Sequence, residues 1–133
     1  GDLEELYLGN NISIQDKAFY SCDDLEVISP TDDIYDNEVN TVIEKEAFGY
    51  CGNFTTIIIP YDTKSLGDES FRNNEISETL SFPAGITIGK KAFYSTELPE
   101  TLVIYPETTV KDETFAYSEG LKYLYIEETK TFS

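Results

Sequence analysis

Apolar and polar positions along the chain fall into one pattern that recurs from end to end. It is clearest over residues 43–60, in the order Ile43, Ala47, Phe48, Cys51, Phe54, Ile57, Ile59, Pro60. Counted from the phenylalanine, position −5 is apolar, −1 is small, +3 is small or cysteine, and +9 and +11 are apolar. Phe19, Phe48, Phe71, Phe93 and Phe115 anchor five copies, spaced 29, 23, 22 and 22 residues apart. Self-similarity at a period of this size marks a solenoid, whose coils bury their apolar sides only by stacking on one another.

The columns read directly. At −5 stand Ile14, Ile43, Leu66, Ile88 and Val110, and at +3 Cys22, Cys51, Asn74, Thr96 and Ser118. At +9 come Ile28, Ile57, Leu80, Leu102 and Leu124, and at +11 Pro30, Ile59, Phe82, Ile104 and Ile126. The +6 column holds Leu25, Phe54 and Leu121 but fails at Ser77 and Pro99, where Ile76 and Leu98 sit one residue early. Leu3, Leu6 and Leu8 match +6, +9 and +11 of a phenylalanine lying before residue 1, so the chain opens part-way through a repeat.

Each copy predicts two elements. Around +8 to +11 the residues alternate, as in Thr56-Ile57-Ile58-Ile59, so +9 and +11 point inward and +8 and +10 outward on a strand. The phenylalanine half is too short for a full helix and predicts a helical or 3₁₀ turn that drops its ring into the core. A proline follows the strand in four of the five copies and ends it, having no N–H for the ladder. Six such strands at the usual separation predict a sheet roughly 25–30 Å long. Residues 31–41 carry the extra length between the first two copies and, being acidic and poor in apolar residues, predict a loop. The whole of 1–133 reads as a single domain, with a partial repeat over 1–11 followed by about five repeats of 22–29 residues.

The run Ile-x4-Phe-x2-Cys-x2-Leu/Phe-x2-Ile, seen as Ile14, Phe19, Cys22, Leu25, Ile28 and as Ile43, Phe48, Cys51, Phe54, Ile57, resembles the BspA-like, Treponema pallidum-type leucine-rich repeats of bacterial and protozoan surfaces. The resemblance covers nearly the whole chain. It implies an α/β leucine-rich-repeat solenoid with a parallel β-sheet on the concave side and short helical or 3₁₀ turns on the convex side. It further implies a cell-surface or secreted, adhesin-like protein whose partner is another protein, with host and matrix proteins as the expected class. The fold alone assigns no function, because sites are grafted onto folds.

Composition narrows the chemistry. Twenty-six acids against nine bases give a net charge of −17, which opposes nucleic acid and anionic membrane surfaces alike. No apolar run approaches the roughly 18 residues of a membrane span. There is no histidine, so Ser-His-Asp and Cys-His arrangements and histidine zinc sites are ruled out. Paired carboxylates for glycoside hydrolysis would have to converge in a cleft that the repeat does not supply, so no catalytic residue and no cofactor are assigned. Asp32, Asp33 and Asp36 in the insertion offer hard oxygen ligands for Ca²⁺, but their spacing matches no EF-hand and an ordinary acidic loop is the simpler reading. Cys22 and Cys51 share a column that also accepts Asn, Thr and Ser, which points to packed free thiols.

The outward strand positions are where a functional surface would lie. They present Tyr7, Thr56, Ile58, Thr79, Thr101, Val103, Tyr123 and Tyr125, edged at +7 by Glu4, Glu26, Glu78 and Glu100. Threonine and valine there are also simply good strand formers. Paired exposed tyrosines say more, because aromatics are enriched at interfaces. The expected function is a non-catalytic interaction module binding through this face, with a structural spacer as the alternative and a carbohydrate-active or calcium-binding domain behind both. Open solenoid ends also predict self-association.

Overall fold

A computed structural model describes residues 2–31 and 40–127. In chain order the strands are β1 (Glu5–Leu8), β2 (Ser13–Ile14), β3 (Val27–Pro30), β4 (Thr41–Ile43), β5 (Gly52–Ile58), β6 (Thr63–Leu66), β7 (Asn74–Ser81), β8 (Thr87–Ile88), β9 (Thr101–Ile104), β10 (Thr109–Val110) and β11 (Tyr123–Ile126). All pairings are parallel, between equivalent positions of successive coils. One sheet runs β1-β3-β5-β7 and carries the predicted strand half. A second, β10-β8-β6-β4-β2, is built by the residues at −6 and −5, of which the repeat pattern marks only −5, and that only as apolar. The molecule is therefore a parallel β-solenoid of about five turns, consistent with a leucine-rich-repeat fold.

The predicted helical or 3₁₀ turns are absent from the described residues. The reason lies in the backbone. Residues −2 and +2 of every copy are left-handed: Lys17 and Ser21, Glu46 and Tyr50, Glu69 and Asn73, Lys91 and Ser95, Glu113 and Tyr117, with φ between 51° and 59°. No right-handed helix survives such alternation. Instead the amides divide their labour. Ala47, Gly49 and their equivalents close local turns on the residue three before, whereas Glu46, Phe48 and Tyr50 donate to Asp68, Ser70 and Arg72 of the next coil. The same division holds at Phe19, Phe71 and Phe93.

This stacking lines the phenylalanines into one column. Successive ring centroids from Phe19 to Phe93 stand 5.1–5.2 Å apart and near-parallel, and Phe115 follows at 5.7 Å. Phe48, Phe71 and Phe93 are wholly buried with Ile28, Ile57, Leu80 and Leu102 of the +9 column. Phe54 and Phe82 pack edge-on against Phe71 and Phe93. Coils approach so closely at −4 that a Cβ on Gly67 would stand 2.5 Å from the backbone of Glu44 and Lys45, and one on Gly89 2.7 Å from Gly67. Only glycine fits there.

The predicted single six-stranded sheet is also corrected. β9 and β11 form a separate two-stranded sheet, and no ladder joins β7 to β9. Between Phe54↔Ile76 and Thr56↔Thr79 the β7 strand carries one residue more than β5, a bulge at Ser77–Glu78. This is the structural meaning of the failed +6 column. The break follows the bulge, where Pro99, fixed in φ and without an N–H, leads into the facing strand. Nearby, coils three and four are bridged at Glu75↔Glu97, and coils four and five at Glu97↔Glu119 as well as by the β9–β11 ladder.

Two outcomes follow for stability and exchange. Truncating Phe48, Phe71 or Phe93 to alanine is expected to cost about 3–5 kcal/mol by lost transfer energy and cavity, read by urea denaturation; a loss under about 1 kcal/mol would contradict the buried column. The amides of Thr101 and Val103, facing the break, should exchange with solvent well before those of Tyr123 and Tyr125, which are laddered to β9. Equal protection of the two pairs would mean that β7 and β9 are in fact bonded.

Candidate functional site

The outward residues are positioned by ladder register. Glu5, Val27, Thr56 and Thr79 form one row across β1, β3, β5 and β7. Tyr7 stands beside Ser29 on one pair of strands and Ile58 beside Ser81 on another. Beyond the break, Thr101 faces Tyr123 and Val103 faces Tyr125. The eight predicted site residues are thus divided. Tyr7, Thr56, Ile58 and Thr79 lie on the four-stranded sheet, whereas Thr101, Val103, Tyr123 and Tyr125 share the two-stranded one.

Tyr7, Tyr123 and Tyr125 expose 54%, 55% and 56% of their surface. Leu124, between the last two, is itself 51% exposed, so the rings do not fold over the apolar side of the final coil. Beside Tyr7, the Glu5 carboxylate raises the phenol above its ordinary range by charge repulsion and by accepting a hydrogen bond. Along the rim, Glu100 pairs with Lys122 at 3.1 Å.

Two rows escaped the repeat reading. The first is an acidic row at +4, where Glu75, Glu97 and Glu119 are bridged coil to coil. It separates a polar groove of about 420 Å³, lined by Asn53, Asn73, Ser95 and Tyr117, from a cleft of about 360 Å³ lined by Ile76, Ser77, Leu98, Pro99 and Gly120. Its signal was glutamate at +4 in three successive copies. The second is an aromatic and cationic stripe on the turns. Lys17 lies over Tyr20, Tyr20 meets Tyr50, Arg72 sits over Tyr50 and Tyr94, and Tyr94 meets Tyr117, with centroid distances of 5.0–5.5 Å. Arg72 is also ion-paired to Glu69. Arg72 packs on Tyr50 and Tyr94 in the middle of the stripe, which reads there as a zipper holding the turns, while Tyr117 at its end stays 78% exposed.

The +3 column proves to demand more than small size. Cys51 Sγ donates to the Phe19 carbonyl, Asn74 Nδ2 to that of Phe48, Thr96 Oγ1 to that of Phe71 and Ser118 Oγ to that of Phe93. These four occupants are all donors that satisfy the preceding coil. Asn74 does most, also donating to Phe71 O and accepting from the amides of Cys51 and Gly52. Cys22 and Cys51 are both free; Cys51 is buried and Cys22 half-buried.

For the predicted calcium ligands, Asp32, Asp33 and Asp36 lie outside the described residues. Among the described residues no group of three or more acids or cysteines is arranged to hold a metal ion, and no helix is long and apolar enough to cross a membrane. At the base of the insertion the buried Asp62 carboxylate accepts from the Asn11 amide at 3.0 Å and from Thr41 Oγ1 at 2.7 Å.

Comparison with known families gives six copies of the BspA type leucine rich repeat region over residues 12–132. The chain belongs to this family. No curated protein and no solved structure matches it. BspA-type repeats are commonly protein-interaction modules, generally non-catalytic and generally found on cell surfaces or secreted.

Burial pushes the Cys51 thiol up to about 11 from an ordinary value of 9.0. Since the thiolate is the nucleophile, only about a thousandth of Cys51 is reactive at pH 8. Iodoacetamide on the native protein at that pH should label Cys22 first and leave Cys51 until the pH nears 11. Equal labelling of both at pH 8 would contradict the burial.

Proposed function

We propose that this BspA-type repeat domain is a non-catalytic, adhesin-like extracellular module that captures a protein partner on its outward strand face. The observation carrying this reading is the pair Tyr123 and Tyr125, side by side on β11 and more than half exposed over Thr101 and Val103. Two rigid rings with free hydroxyls above small neighbours have the makeup of an interface anchor. The carboxylates at Glu78, Glu97 and Glu100, on a chain of net charge −17, favour a partner with a basic surface and speed its encounter.

Capture from host or matrix extracts, followed by the Tyr123→Ala/Tyr125→Ala double substitution, tests the reading. The retained partner should bind the variant at least about 2 kcal/mol more weakly while the melting temperature barely moves. A spacer between other domains would retain nothing above background. Unchanged affinity in the variant would move the anchor off these rings.

A further inference from the structure

The break between β7 and β9 leaves two strand edges facing one another without a ladder. In a paired coil the +8 amide donates to the +7 carbonyl of the coil before, as Val27 does to Glu4 and Tyr123 to Glu100, and where +12 is not proline its amide donates to the +11 carbonyl, as Thr31 does to Leu8 and Glu127 to Ile104. The same register aims the amides of Thr101, Val103 and Tyr105 at the carbonyls of Glu78, Leu80 and Phe82. Among the described residues no ladder joins the two strands, and the Tyr105 amide does not donate to Phe82. Two parallel strand edges, each presenting both amides and carbonyls towards the gap, therefore stand without a ladder on the outward face. Exposed edges of this kind are templates for a further strand.

Three observations say what would fit. The cleft of about 360 Å³ already opens beside the break, bounded by Ile76 and Ser77 on one side and Leu98, Pro99 and Glu100 on the other. Its carboxylates, Glu75, Glu97 and Glu100, are met by a single base, Lys122, which is ion-paired to Glu100. The coils on either side remain joined around the gap, by the Glu75↔Glu97 bridge at the start of β7, by β6–β8 pairing and by the stacked Phe71 and Phe93 rings. Seating a strand requires β7 and β9 to stand about two ladder spacings apart, roughly 10 Å. Opening that far breaks no ladder bond between them and swings the coils about the joined side.

We propose that the gap between β7 and β9 receives an extended, lysine- or arginine-bearing peptide segment of the partner, which pairs its backbone with both edges and sets its cations against Glu75, Glu97 and Glu100. This rests on the outward face being the binding face and names how that face holds its partner. Main-chain bonds supply the affinity and the carboxylates the selection for basic sequences.

The probe is a synthetic heptapeptide alternating lysine with valine, titrated into the full chain by fluorescence polarisation. Its counterpart carries N-methyl groups on alternate residues, with the same charge but without the bonding amides. The unmodified peptide should bind at least tenfold more tightly than the methylated one, and its binding should slow exchange of the Thr101 and Val103 amides. Glu75→Gln/Glu97→Gln, both exposed side chains, should weaken it at least tenfold at low salt with the melting temperature unchanged. Equal binding of the two peptides, or binding that leaves both amides unprotected, overturns strand insertion. If that binding is also lost in Tyr123→Ala/Tyr125→Ala, the face stands as the site and only the insertion falls. Absence of any peptide binding overturns the insertion and leaves the face to the extract-capture experiment. Protection of Thr101 and Val103 that rises with protein concentration and no peptide would show a second copy filling the gap, and would likewise overturn the proposal.

Discussion

The structure depends on how a turn of only a few residues satisfies its own backbone. At each phenylalanine turn, alternate amides close locally and the others reach the next coil, so Phe48 donates to Ser70 as Phe71 does to Ala92. Left-handed residues at −2 and +2 turn the alternate groups outward along the stack. A buried backbone group without a partner costs about as much as a lost hydrogen bond, so no coil is stable alone and each sets the height of the next. The ring separation of 5.1–5.2 Å, the glycines at −4 and the short strands of the second sheet are consequences of that spacing.

The +3 column shows the same constraint acting on side chains. Cysteine, asparagine, threonine and serine share little beyond small size and a proton to give, and both properties are used. The side chain must fit inside the stack and must reach the carbonyl of the preceding phenylalanine. Asn74, with its four bonds, sits in the coil immediately before the sheet divides. It ties the third coil to the second, and beyond it Thr96 Oγ1 bonded to the Phe71 carbonyl and the Phe71–Phe93 stack tie the fourth coil to the third on the turn side, where the outward strands have parted. Rigidity and opening are thus assigned to different sides of one coil.

That division bears on function. A continuous sheet would offer a partner only side chains, because its backbone is consumed by the ladder. A broken one offers backbone as well, beside the +4 glutamates and within reach of the tyrosine pair. The strong negative charge that opposes nucleic acid becomes, at this place, a preference among protein partners. The aromatic stripe on the turns is rich in the residues of binding surfaces, yet its central rings are occupied by Arg72, and their work is done inside the molecule.

The sequence by itself determined the repeat, its register, the buried column from Phe48 to Phe93 and the outward row that pairs Thr101 with Tyr123. It could do so because stacking repeats the same inward contact at a fixed interval, and period-two alternation sorts the faces. It also carried the family. What it could not settle was the state of the turns: a small-x-x-donor stretch around a phenylalanine suits a helical turn until bonds to the next coil outbid local ones, and those partners lie 21 to 28 residues away. The donor role of the +3 column was hidden likewise, because its acceptors belong to another coil. The failed +6 column was visible at Ser77 and Pro99, but only the stacked strands decided that it would bulge β7 and divide the sheet. Backbone pairing is a property of two strands, and neither strand's residues alone disclose that the other has moved away.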